Sequence, residues 1–169
     1  MNVRPYRSAD WPALCAIHDL ARMEELQAAG LADAFLPLEV AAGREDLFAY
    51  TVMVAEREDS VLGFVAFDRD ELGWLYVDPA CRHRGVGRAL MAAAQQASAG
   101  GLSLELLIGN AAALAFYRRC GFLATGTRSG RMPGNESFAV GVQVMQWTAA
   151  GDATSAMLPS ADIDVDVNA

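Results

Sequence analysis

The stretch LYVDPACRHRGVGRALM, residues 75–91, decides how this chain is read. It opens as the end of an apolar strand and turns at Asp78-Pro79. It then gathers Arg82, His83, Arg84 and Arg88 around Gly85 and Gly87 and leaves as a helix rich in alanine and leucine. A helix that begins near Gly85 directs its unpaired N–H groups, with the positive end of its dipole, back toward the strand end. The fitting guest is an anion, and diphosphate suits the place well. Glycines at 85 and 87 allow a tight turn and let the anion reach the main chain with no Cβ in the way. The arginines add charge that does not depend on pH near neutrality. Two phosphate-binding patterns are excluded: the chain has no lysine for GxxxxGK[ST], and Ala89 and Leu90 follow Gly87 where GxGxxG would need a further glycine.

Working outward, three strand candidates precede the turn: YTVMVAER (50–57), VLGFVAFD (61–68) and ELGWLYVD (71–78). Connections as short as EDS and RD make antiparallel hairpins, because a parallel crossover needs a dozen or more residues. Upstream, NVRPYR reads as a first strand and residues 8–26 as a helix, with Ser8 or Asp10 as its cap and Pro12 in its first turn. Residues 28–48, broken by Gly30, Pro37 and Gly43, read as loops and short helices. Downstream, the helix stops at Gly100-Gly101. LSLELLI (102–108) is a strand with Leu102, Leu104, Leu106 and Ile108 on one face, NAAALAFYRRC (110–120) a helix, and FLATGT (122–127) and SFAVGVQVMQW (137–147) two more strands. A meander followed by strand, helix, strand, helix predicts an α+β (mixed α/β) fold.

At 169 residues and 18.0 kDa the chain suits one domain with an appendage. Its 53% hydrophobic content speaks for a globular core, and no apolar run reaches the ~20 residues of a membrane span. The amino-terminal MNVRPYRSADW lacks a signal peptide's apolar stretch, so a soluble cytoplasmic protein without a membrane partner is expected. A net charge of -8 and a pI near 4.6 argue against nonspecific nucleic-acid binding. Cys15, Cys81 and Cys120 are odd in number and widely spaced, which supports neither a disulfide framework nor a metal site. Residues 149–169 carry four aspartates and no basic residue. They read as an acidic tail whose Ile163, Val165 and Val167 alternate with aspartates, a pattern able to add an edge strand, in the same subunit or across a homodimer.

LYVDPACRHRGVGRALM, with Arg82, Gly85 and Gly87, followed by NAAALAFYRRCGF, with Asn110, Tyr117 and Gly121-Phe122, resembles the two central motifs of the GNAT superfamily of acetyl-CoA-dependent N-acetyltransferases. The resemblance covers residues 2–147. It implies a central, mixed but largely antiparallel sheet of about seven strands, flanked by about four helices and splayed between its fourth and fifth strands to admit acetyl-CoA. Carried over residue by residue, it implies that Leu75, Tyr76 and Val77 flank the pantetheine arm with backbone groups of Tyr76 and Val77 left free. His83, Arg84, Gly85, Val86, Gly87 and Arg88 would take the diphosphate with Arg82 adjoining, Asn110 would hold the arm, and Tyr117 would face the sulfur. The implied reaction is acetyl transfer to a primary amine of a small molecule or peptide. A non-catalytic acyl-CoA-binding module and a transferase for a different acyl group are the alternatives.

Acetylating an alkyl ammonium, with pKa about 10.4, needs a base, and the departing thiolate gains from a proton donor. Tyr117 is the candidate donor. Glu71 is the candidate base, placed by period two on the face of Gly73, Leu75 and Val77; Glu24, Glu25 and His18 are alternatives, and Glu105 lies opposite the leucine face. Cys81 near His83 would permit an acyl-cysteine route, but no third orienting group is visible, so direct transfer in a ternary complex is expected. Between Asp19 and Phe48, acidic residues (Asp19, Glu24, Glu25, Asp33, Glu39, Glu45, Asp46) outnumber Arg22 and Arg44, enough to attract a cationic acceptor. Trp11, Phe35, Phe48, Trp74 and Tyr76 could line the cleft's apolar part.

Overall fold

A computed structural model describes residues 1–149; the acidic tail beyond Ala149, with the edge strand expected there, lies outside the described residues. Strands β1 (Asn2–Pro5), β2 (Thr51–Arg57), β3 (Ser60–Phe67) and β4 (Leu72–Val77) form one antiparallel sheet in that order. β5 (Gly101–Leu107), β6 (Leu123–Met132) and β7 (Asn135–Thr148) form a second, ordered β5-β7-β6. The seven expected strands are present, but in two hydrogen-bonded sheets rather than one. Their link is a parallel bridge between Glu71 and Ser103, whose N–H donates to the Asp70 carbonyl at 2.7 Å.

Helices cover both faces of the first sheet. α1 (Trp11–Ala28) and α2 (Leu38–Arg44) bury Leu14, Leu38 and Ala41, and the 3-10 turn that follows buries Leu47, against Val54, Phe64 and Trp74. On the opposite face, α3 (Val86–Ala97) buries Val86, Leu90, Met91 and Ala94 against Val65, Phe67 and Leu72, a core that also takes in Leu102, Leu104 and Leu106 of β5. The spacing of those α3 residues is that of one helical stripe. A smaller cluster of Leu26, Ala34, Leu107, Met132 and Val140 joins the end of α1 to the second sheet. α4 (Ala111–Arg119) lies beside α3, its Phe116 ring 3.3 Å from the position a Cβ on Gly87 would take.

Three sequence expectations shift. Asp10 occupies the N-cap of α1, but its carboxylate accepts from Arg4 at 2.8 and 2.9 Å and from the Arg7 amide, so it ties β1 to the helix start instead of capping. β6 runs five residues past the expected Thr127 because its stretch to Arg131 is exposed, leaving no apolar alternation to read. Ile108, expected in the leucine stripe, follows the end of β5 and is 53% exposed.

Candidate active site

Beyond the Glu71–Ser103 bridge, β4 and β5 part. The backbone alternation shows which groups face the gap. The Asp78 amide donates to the Leu62 carbonyl, so two residues back Tyr76 exchanges its bonds with Phe64, and Leu75 and Val77 direct their N–H and C=O groups the other way. The free groups expected at Tyr76 and Val77 are therefore those of Leu75 and Val77. On β5 the same argument, anchored by the Ile108 amide bonding the Gly141 carbonyl, directs the main chain of Glu105 and Leu107 toward β4. Free polar main chain on both walls suits an amide-bearing chain laid between them.

The mouth of the gap is the turn read first from the sequence. Asp78 accepts from the Ala80 amide at 2.9 Å and starts a 3-10 turn over Pro79–Cys81. His83 and Gly85 then take left-handed conformations, with φ of 62° and 82°. Among the described residues, the N–H groups of His83, Arg84, Gly85, Val86, Gly87 and Arg88 have no acceptor, while the next amide, Ala89, bonds the Gly85 carbonyl. Left-handed residues set among such donors make a concave anion nest, continuous here with the N-terminus of α3. Gly85 is favoured by its φ, since nothing lies within 4 Å of a Cβ placed there; a Cβ on Gly87 would crowd the Phe116 ring at 3.3 Å. Arg82 pairs with Glu24 of α1 at 2.5 Å, so it bridges the turn to α1. Arg82, His83, Gly85, Val86, Gly87 and Arg88 line the cleft, whereas Arg84 does not.

The cleft continues from this turn, past β4 and β5, to α2 and the β6–β7 turn, a volume of about 1620 Å³ with room for two substrates. Tyr117 lines it, its ring edge-on to Phe116 and Phe122 at 5.3 and 5.7 Å between centroids. Burial, with Glu25 and Tyr76 near, pushes its hydroxyl well above the ordinary tyrosine range, so it stays a donor at neutral pH. Asn110 caps α4 by accepting from the Ala113 amide at 3.0 Å and reaches Glu25 at 3.4 Å. Glu25 also receives the Arg22 guanidinium at 2.8 Å. Burial raises the Tyr76 hydroxyl too, against the lowering effect of Arg22.

The structure separates the candidate bases. β4 carries an extra residue at Gly73, since Trp74 lies opposite Ala66 while Leu72 lies opposite Phe67. The bulge reverses the parity of the strand. Leu72, Leu75 and Val77 face α3, and Trp74 and Tyr76 face α1. Glu71 therefore does not share the face of Leu75 and Val77; it is exposed, on the side of Tyr50, whose hydroxyl donates to it at 3.3 Å. His18 is buried beneath Tyr76, bonded to Asp19 at 2.8 Å, with burial lowering its pKa. Glu105 is exposed and paired with Arg128 at 3.0 Å. Of the seven acidic residues from the α1–α2 region, Glu24, Glu25, Glu45 and Asp46 line the cleft, while Asp19 instead accepts from the Leu38 amide at the start of α2. Of the five aromatics, Trp74 and Tyr76 line it; Trp11 and Phe48 pair with each other at 5.7 Å and Phe35 packs below β7. The Cys81 thiol is 4.0 Å from an Asp78 carboxylate oxygen. The residue that sequence reasoning left unmarked as a base is Glu45, half-buried at the end of α2, where burial pushes its carboxyl up to about 7.

Comparison with known proteins agrees with this geometry. A family model described as an acetyltransferase (GNAT) domain matches residues 49–123, from the start of the β2–β4 meander to the start of β6. A ribosomal-protein-alanine N-acetyltransferase from Brucella melitensis is 28% identical and superposes over 88% of this chain and 99% of its own, with a TM-score of 0.65. A GCN5-related N-acetyltransferase from Rhodopseudomonas palustris, 23% identical over 87% of this chain and 94% of its own, shares the fold with a TM-score of 0.69. A Bacillus anthracis protein assigned as a streptothricin acetyltransferase, solved in complex with acetyl coenzyme A, is 26% identical over 59% of this chain and 62% of its own, with a TM-score of 0.52. With two parted sheets and an amide nest at the mouth of the gap, the chain has the fold of GNAT N-acetyltransferases, and its residues 49–123, from the β2–β4 meander through β5 and α4, match the GNAT acetyltransferase domain.

Proposed function

We propose that this protein is an N-acetyltransferase that moves an acetyl group from acetyl-CoA to a primary amine of a small molecule or peptide, directly, within a ternary complex. The observation that carries the reading is the run of acceptor-free amides from His83 to Arg88 at the mouth of the β4–β5 gap. That nest, with Arg82 and Arg88 beside it, fits a diphosphate, and the inward-facing main chain of Leu75 and Val77 fits the pantetheine amides. Arg84, outside the cleft, would add only long-range charge. Asn110 would border the arm. Main-chain N–H groups near Val77 would polarise the thioester carbonyl, and Tyr117, which lines the cleft, would be the donor for the departing sulfur. Direct transfer is favoured because Cys81 faces a carboxylate rather than a histidine. The relatives named above bear names that span a ribosomal-protein alanine and streptothricin, which fits an acceptor drawn from peptides or small molecules.

The test is thiol release from acetyl-CoA across a panel of amines and amino-terminal peptides, repeated with Tyr117→Phe. Turnover that Tyr117→Phe lowers about 10-fold to 10³-fold at nearly unchanged acetyl-CoA affinity supports the reading. Tight binding of acetyl-CoA with no turnover on any amine would make the chain a binding module.

A further inference from the structure

The acceptor end of the cleft holds several carboxylates, and they differ in what already occupies them. Glu24 is paired with Arg82, Glu25 with Arg22 and Asn110, Glu71 with Tyr50, and Glu105 with Arg128. Asp46, next to Glu45, is exposed. Glu45 differs from all of them, because it is half-buried and, among the described residues, no donor bonds its carboxylate.

Its setting is built by distant parts of the chain. The Arg44 guanidinium bonds the Gly134 carbonyl at 2.8 Å and pins the β6–β7 turn over the end of α2. Glu45 Oε1 lies 3.0 Å from where a Cβ on Gly134 would stand, so this turn takes water away from the carboxylate. Arg22 of α1 attracts the group from within the cleft and Glu136 of β7 repels it, while Glu45 in turn acts on the Tyr76 hydroxyl of β4. The other charged groups lining this end are Glu25, Asp46, Asp68, Glu71, Arg128 and Arg131.

We propose that Glu45 is the general base of the transfer, receiving a proton from the acceptor ammonium directly or through one water. The inference rests on the acetyl-transfer reading and moves the role assigned from sequence to Glu71 onto the residue that follows α2. The ammonium gives one proton to the Glu45 carboxylate. The freed nitrogen lone pair forms the C–N bond to the thioester carbonyl carbon, and collapse of the tetrahedral adduct breaks the C–S bond. The departing sulfur takes the Tyr117 proton as the nitrogen's second proton returns to Tyr117 oxygen. A partly desolvated carboxylate without a donor both attracts a cation and is poised to neutralise itself by accepting its proton. Its raised affinity for protons places the ionisation near neutral pH.

The experiment is a pH profile of kcat/KM with the best amine of the panel, for wild type, Glu45→Gln, Glu45→Asp and Glu71→Gln, with acetyl-CoA affinity measured for each. The expected wild-type profile rises with a midpoint near 7. Glu45→Gln should lose that limb and about 10²-fold or more of kcat at pH 7.5, with acetyl-CoA affinity held within about twofold, and Glu45→Asp should recover part of the rate with a shifted midpoint. If Glu45→Gln keeps the limb, or if the limb disappears in Glu71→Gln instead, the proposal is overturned. Absence of turnover by the wild type with every amine overturns the acetyl-transfer reading, and the base with it.

Discussion

Replacing Glu45 by glutamine should alter the pH dependence of stability in a direction opposite to that of most carboxylates. The folded chain holds this carboxyl at about 7 against an ordinary value of 4.5, a rise of about 2.5. Each tenfold gain in proton affinity is worth about 1.36 kcal/mol, so the ceiling is roughly 3.4 kcal/mol. Solvent reaches part of the carboxylate from the cleft and screens it, so about 1–2 kcal/mol is the expected size. Between pH 4.5 and 7 the native chain binds more protons at this site than the unfolded chain does. Stability from Glu45 therefore falls as pH rises through that window and is level above it. Asp10, bonded by Arg4, and Glu56 are held low; their contributions are present above the ordinary carboxylate range and are lost only as pH falls below it, outside this window. Urea unfolding of wild type and Glu45→Gln at pH 5 and pH 8 isolates the effect, because packing differences between the two chains cancel between the two pH values. The variant should gain about 1–2 kcal/mol relative to wild type on going from pH 5 to pH 8. An unchanged difference, or a change of opposite sign, refutes the claim that this carboxyl is partly desolvated and, among the described residues, without a donor.

Other consequences follow from single residues. Gly85→Ala meets no neighbour but must adopt a φ of 82°, which should cost about 1 kcal/mol in thermal or urea unfolding and weaken acetyl-CoA binding measured by calorimetry. Gly63→Ala puts a Cβ 2.7 Å from the Tyr76 carbonyl oxygen; β4 must shift, and about 2 kcal/mol or more of stability should be lost, with reduced turnover even where the variant remains folded. Raising salt should weaken acetyl-CoA affinity in wild type more than in Arg82→Ala, since that variant has one fewer screened contact near the diphosphate.

Much of this architecture is visible in local sequence. The hairpins from Thr51 to Val77 announce themselves by short connections and β-branched or aromatic runs, and the 82–88 turn by its glycines and arginines. Three features depend on partners that local pattern cannot supply. A single glycine inside a strand is only a weak sign of a bulge, so the parity change at Gly73 is set by how β4 pairs with β3, and Glu71 moves to the other face with it. Which main-chain groups of Leu75, Tyr76 and Val77 are free is likewise decided by the neighbouring strand, not by the residues themselves. Glu45 reads as one more surface carboxylate of a short helix until Gly134, brought from the far hairpin, closes over it. Asn110 and Arg82 were legible as cleft residues, but their bonds to Ala113 and Glu24 show structural duties beside any ligand contact.

The central claim is that the turn from His83 to Arg88 holds the diphosphate of acetyl-CoA and aims its thioester between β4 and β5. A crystal structure of the complex tests it most directly. The account predicts diphosphate oxygens about 3 Å from the amides of this turn, with the pantetheine arm bonded to the main chain of Leu75 and Val77. A donor seated elsewhere on the protein, or a turn whose amides bond no phosphate oxygen in the complex, would contradict it.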